Sequence, residues 1–204
     1  MNKSSPLYIL IFIVAISALF GFGVSMVHYS TEDMLARNLT LHRNRTIARA
    51  FDLSVEGKSS EAYQQAVATA IRDTVNIINN REWELFYRTD GRDEVGFIFT
   101  GMGFWDRITG ILVVSSDLQE IRDIKFLSHK ETPGLGARIE EKSFTDQFEN
   151  LPIDWDAPLA EHIIIGPGDT PNTVDAITGA TQTSMALMNM LNEELNAFRK
   201  AQVK

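Results

Sequence analysis

The chain has 204 residues, with 27 Asp and Glu against 19 Lys and Arg, a formal charge of −8 and no cysteine. That length holds one domain of ordinary size plus an appendage, which excludes a large multidomain enzyme. Without cysteine there is no iron–sulfur cluster, disulfide framework, thiolate zinc site or thiol nucleophile, so redox chemistry would need a borrowed cofactor. The acidic balance has no basic stripe of the kind that grips phosphodiester backbones, which argues against DNA or RNA as a partner.

The first element is apolar. Leu7 to Val27 runs without a formal charge, long enough at ~1.5 Å per residue to cross a ~30 Å hydrocarbon core as a helix. Pro6 stands just before it, where a helix tolerates proline. A cleaved signal peptide is the competing reading, with Lys3 as its n-region. The run exceeds a usual h-region of ~7–15 residues and no A-x-A pattern follows, so an uncleaved anchor is preferred. Charge leaves the orientation ambiguous. Lys3 precedes the span, Arg37, Arg43, Arg45 and Arg49 follow it, and Glu32 and Asp33 come first on the far side.

Thr31 to Leu53 keeps a loose helical pattern that suits a stalk, and Val55 to Ser60 breaks it. Ala62, Ala66, Val67, Ala70, Ile71, Val75 and Ile78 then recur at three- and four-residue steps, which predicts one amphipathic helix through Ile78. Strands are expected over Trp83–Tyr87, Val95–Thr100, Ile108–Ser115 and Ile121–Leu127, with turns at Gly91-Arg92-Asp93 and Ser116 to Gln119: an antiparallel meander. A shaped loop follows at Glu131-Thr132-Pro133-Gly134-Leu135-Gly136, because proline removes a donor and glycine admits positive φ. Beyond it the pattern predicts a short helix over Ile139–Phe148, a strand over Leu159–Ile165 and a turn at Gly166-Pro167-Gly168-Asp169. The last helix runs from Gly179 onward, with Ser184, Leu187, Met188, Leu191, Leu195 and Phe198 on one face. The fold class is α+β, a single transmembrane helix followed by an antiparallel sheet with flanking helices. The division is an anchor at 1–30, a helical stalk region at 31–82 and a functional domain at 83–204.

Chemistry concentrates where the last helix starts, in Asp175-Ala-Ile-Thr-Gly-Ala-Thr-Gln-Thr-Ser184. A helix N-terminus presents unpaired N–H groups and a positive dipole end, which suits a phosphate. Gly179 permits close approach, and Thr178, Thr181, Thr183 and Ser184 offer hydroxyls. Residues alone leave open the plainer reading, that Thr178 or Asp175 caps the helix. Glu131 is equally open between a solvated carboxylate, a ligand and a loop-positioning group, and Trp105 between core and site. His28, His42, His129 and His162 form no i, i+4 pair, so a metal site is not expected, and His129 reads as loop structure.

Three strings nevertheless occur together: D-x-x-T-G-A-T at Asp175–Thr181, E-T-P-G-L-G at Glu131–Gly136, and Gly101-Met-Gly-Phe-Trp105. Together they resemble the FMN-binding subunits RnfG and NqrC of Rnf and Na⁺-translocating NADH:quinone reductase complexes. Total length is nearer RnfG, while G-F-W leans toward NqrC. The resemblance implies that FMN is esterified through its phosphate to Thr181 by a flavin transferase using FAD and Mg²⁺. Asp175, Thr178, Gly179 and Ala180 would belong to the recognised motif. Glu131, Thr132, Pro133, Gly134, Leu135 and Gly136 would form a loop against the isoalloxazine, with Gly103 and Trp105 beside it. It further implies an electron-transfer subunit, not catalytic alone, in an ion-translocating oxidoreductase. Its partners would be membrane and redox-centre subunits, the flavin transferase and, through Leu7 to Val27, the lipid bilayer. The expected location is the bacterial inner membrane, single-pass, with the C-terminal domain on the periplasmic side. The other readings are an FMN domain of another extracytoplasmic electron-transfer chain, or a non-redox anchored interaction module.

Overall fold

A computed structural model describes residues 5–78, 81–167 and 170–202. It divides into two units, residues 1–41 and 42–204. The first consists of helix α1 (Pro6–Ala50) as far as Leu41. Its apolar side chains from Leu7 to Val27 are exposed, as expected of a surface that faces lipid, and the helix is long and apolar enough to span a membrane.

The second unit is built on an antiparallel six-stranded sheet in the order β1 to β6. The strands are β1 (Ile71–Ile78), β2 (Arg81–Arg88), β3 (Glu94–Met102), β4 (Arg107–Ser115), β5 (Glu120–Ser128) and the two-residue β6 (Leu151–Pro152). Period-two alternation sends Val95, Phe97 and Phe99 of β3 and Leu112 and Val114 of β4 to one face, and Ile111 and Val113 of β4 to the other. The first face is covered by α4 (Thr181–Gln202), which contributes Leu187, Met188, Met190, Leu191, Leu195 and Phe198 to the main core. Phe198 stacks on Phe97 at 4.4 Å between ring centres and lies 5.4 Å from Trp83. The second face packs on Ile47, Ala50 and Phe51 at the end of α1, with Val67 of α2 (Ser60–Ala70) at its margin. Ser59 caps α2, its Oγ accepting from Ala62 N at 3.2 Å.

Three elements differ from their sequence pattern. The helix expected through Ile78 stops at Ala70, and residues 71–78 form β1, paired without interruption from Ile71 opposite Arg88 to Ile78 opposite Arg81. Ile71, Thr74, Val75, Ile77 and Ile78 are β-branched, and their fit to a pleated sheet outweighs a spacing equally compatible with a helix. The sheet therefore begins upstream of residue 83. Ile139–Phe148 is not one helix but a 3-10 turn (Gly136–Glu140), the four-residue α3 (Lys142–Thr145) and a second 3-10 turn (Asp146–Phe148). Leu159–Ile165 is a 3-10 turn at Leu159–Glu161 followed by the two-residue β7 (Ile164–Ile165), which pairs in parallel with β8 (Thr173–Val174). In the turn expected at 166–169, Gly168 and Asp169 lie outside the described residues.

Candidate functional site

Three chain segments meet at one cavity of about 360 Å³. Its lining comes from the β3–β4 turn (Phe104, Trp105), the loop after β5 (Thr132, Leu135, Gly136) and the start of α4 (Gly179 to Thr183). The first turn closes tightly, Gly103 N donating to Asp106 O at 2.9 Å. It places Phe104 and Trp105 edge to face, 5.1 Å between centres. Both rings remain exposed, Trp105 at 64%, as does Leu135 at 45%. Asp106 anchors the far side of the turn on Lys130 at 2.6 Å, and that hydrogen bond, with one from Arg107 N, holds its carboxyl below the usual range.

The loop after β5 folds on itself. Thr132 O accepts from Leu135 N and from Ala137 N, each at 3.1 Å, so the Leu135 N–H is spent inside the loop. His129 secures its base: Nδ1 accepts from Glu131 N at 3.2 Å, which leaves the proton on Nε2, 3.1 Å from Glu140.

The start of α4 is set by Gly179, whose φ of +81° is the left-handed region that suits glycine. Ser184 closes this corner from inside, its Oγ accepting from Ile177 N and donating to Ala180 O, both at 3.1 Å. It is fully buried and unavailable to a phosphate. Thr183 is also buried and donates to Glu131. Of the four hydroxyls in the motif, Thr181 alone is exposed on this cavity. It occupies the first residue of α4, where the N–H groups of the opening turn have no intrahelical acceptor.

Glu131 links all three segments. It is buried, with Oε1 accepting from Phe104 N (2.8 Å) and Trp105 N (3.1 Å), and Oε2 from Thr183 Oγ1 (2.7 Å). Gly103 and Gly136 make room for it: a Cβ on Gly103 would stand 2.5 Å from Oε1, and one on Gly136 2.7 Å from Oε2. The solvated-carboxylate reading of Glu131 is thereby corrected.

Other motif residues lie apart. Asp175 and Thr178 line a second cavity of about 150 Å³ with Arg138, Glu141 and Gln147. Gln147 Oε1 accepts from Asp175 N at 2.7 Å, a tether with no sequence signal. Pro133 and Gly134 are exposed in the loop but do not line the larger cavity, whereas Phe104, Gln182 and Thr183 do. Among the described residues no group of His, Asp and Glu is placed to hold a metal ion.

The family model of the FMN-binding domain matches residues 103–196, which contain every segment of the larger cavity. Residues 103–196 are thus similar to FMN-binding domains. The NqrC protein of the Na⁺-translocating NADH-quinone reductase of Pseudomonas aeruginosa is 30% identical over 132 residues, 60% of this chain and 51% of that protein. The RnfG protein of the ion-translocating oxidoreductase complex of Methanosarcina acetivorans is 36% identical over 83 residues, 41% of this chain and 39% of that protein. The chain thus spans about half or less of the length of these curated relatives. In fold, the crystal structure of NqrC of the Na⁺-translocating NADH-quinone reductase of Parabacteroides distasonis superposes with a TM-score of 0.70 at 22% identity, covering 85% of this chain and 97% of that one. The segment similar to FMN-binding domains follows an N-terminal helix long and apolar enough to cross a membrane.

Proposed function

We propose that this chain is an electron-transfer subunit of a membrane-bound, ion-translocating oxidoreductase of the Rnf/Nqr type, with FMN joined through its phosphate to Thr181. The observation that carries the reading is the convergence of three separate segments on one cavity where, of the hydroxyls in the Asp175–Ser184 string, Thr181 alone is exposed, at a helix N-terminus. At about 360 Å³ the cavity lies within the ~300–1,000 Å³ typical of small-molecule sites. Its chemistry suits the ligand: free N–H groups and the α4 dipole for a phosphodiester monoanion, and the faces of Phe104, Trp105 and Leu135 for a flat apolar ring.

Bound flavin supplies one- and two-electron chemistry that no side chain here provides. The chain's own residues bind and orient. Thr181 holds the phosphate end, Gly179 shapes the turn beneath it, and Trp105 and Leu135 exclude water from the ring. In this reading residues 1–30 anchor the protein in the bacterial inner membrane, the domain stands on the periplasmic side, and a flavin transferase attaches the cofactor. Electrons come from and pass to redox centres of other subunits. Asp175 and Thr178, facing the neighbouring cavity, are left free for the transferase to read.

The test is Thr181→Ala in cells that coexpress a flavin transferase. Covalent flavin fluorescence on a denaturing gel should disappear while the membrane-associated protein remains folded. Persistent covalent flavin would remove Thr181 from the role.

A further inference from the structure

The sequence strings that define this cavity share one partner. Two of the three hydrogen bonds to the Glu131 carboxylate come from the β3–β4 turn and the third from α4, so it ties the β5 loop to both other walls. Two glycines, one in each loop, are hollowed around its two oxygens, and at Gly136 a Cβ would also stand 2.6 Å from Thr183 Oγ1. Glu131 is 4% exposed. Among the described residues its carboxylate has no ion pair, the adjacent Lys130 being committed to Asp106 and 79% exposed. Among the described residues no Lys, Arg or His lines the cavity.

We infer that Glu131 is the positioning residue that assembles this cavity and, at the same time, the fixed negative charge behind its wall, rather than a ligand of the flavin. The inference rests on the FMN reading above and deepens it. With both oxygens already accepting from protein donors, the side chain has little left to offer a ring edge. Its charge is stabilised by two backbone amides and a hydroxyl, dipoles that would otherwise be unmatched in a buried place. An anion held by dipoles without a counter-cation in a low-dielectric wall opposes the addition of electrons to a neighbouring ring system. The charge therefore biases the site toward a low reduction potential, while the hydrogen bonds hold Trp105 and Thr183 in register.

The experiment uses the full-length chain in detergent, expressed with and without a flavin transferase. With transferase, Glu131→Ala should lose most covalent loading. Glu131→Gln should recover it relative to Ala, because its oxygen keeps the two amide bonds and its NH₂ donates to a turned Thr183 hydroxyl. The flavin in Glu131→Gln should titrate at a more positive midpoint potential than in the wild type. Equal loading in Glu131→Ala and wild type would overturn the positioning role, and an unchanged potential in Glu131→Gln would overturn the charge. Without transferase, urea unfolding of Glu131→Gln, Thr183→Val and the double variant should be non-additive; additivity also overturns the positioning role. A wild-type chain that takes no flavin from an active transferase would defeat the FMN reading, while the unfolding cycle still decides Glu131's part in the fold.

Discussion

Gly136 shows how a motif letter becomes a contact. Substituting alanine places a methyl 2.6 Å from Thr183 Oγ1, 2.7 Å from Glu131 Oε2 and 3.0 Å from its Cβ, inside a network already closed by hydrogen bonds. Gly136→Ala should lower stability by about 1–3 kcal/mol, the usual cost of overpacking, read as a fall in urea midpoint at unchanged slope. Wild-type stability would mean that the network yields freely. At this scale the sequence showed which residues belong together but not how. Thr181 and Ser184 carry equivalent hydroxyls and sit three positions apart in the same string, yet one is exposed and the other is buried as a brace between Ile177 and Ala180. Only the turn of the helix separates those roles. Asp175 likewise reads as a cap in a linear string, but five residues of irregular backbone carry it and Thr178 to another cavity.

Helix α4 does more than cover the sheet. Its buried Asn192 accepts from Ile163 N at 2.9 Å and donates to Ala160 O and Ile163 O, at 3.1 and 2.9 Å, pinning the irregular segment that precedes β7. Asn192→Ala leaves those groups unpaired in the core and should cost on the order of 1–3 kcal/mol, checked by chemical denaturation. Phe198→Ala, which removes the ring stacked on Phe97, should cost about 3–5 kcal/mol in the same assay. The strands β2 to β5 were legible because each is a short run rich in β-branched or aromatic residues bounded by turn residues. β1 was not, since Ala62 to Ile78 satisfies a helical spacing throughout and only pairing with β2 selects the strand. The segment from Gly136 to Phe148 was obscured for a different reason: its path follows Ile139, Phe144 and Phe148 entering the core, not a regular period.

For the molecule as a whole, acidity and the apolar N-terminal helix set the behaviour to expect. The exposed Asp90 is held at about 2 by its hydrogen bond to Arg88, aided by Arg92, whereas burial pushes the Asp123 and Glu194 carboxyls up. A lowered folded-state value means stability present above the unfolded value near 4 and lost as pH falls through about 2. Unfolding followed from pH 5 to pH 2 should therefore fall less steeply in Asp90→Asn than in the wild type. For Asp123 and Glu194 the sign is opposite, their contribution being complete below the unfolded value and lost as pH rises through the folded one. The apolar span predicts that the full chain stays in the membrane pellet after alkaline carbonate washing, whereas a chain starting at Thr31 is released; retention of the latter would locate membrane binding elsewhere. The functional reading stands or falls on Thr181 carrying the flavin, and intact mass with peptide mapping, after expression with and without a flavin transferase, addresses that directly. A gain of roughly 438 Da, FMN esterified with loss of water, is expected on the peptide containing Thr181 and only with the transferase. No gain in a folded chain with an active transferase, or a gain on another peptide, would contradict it.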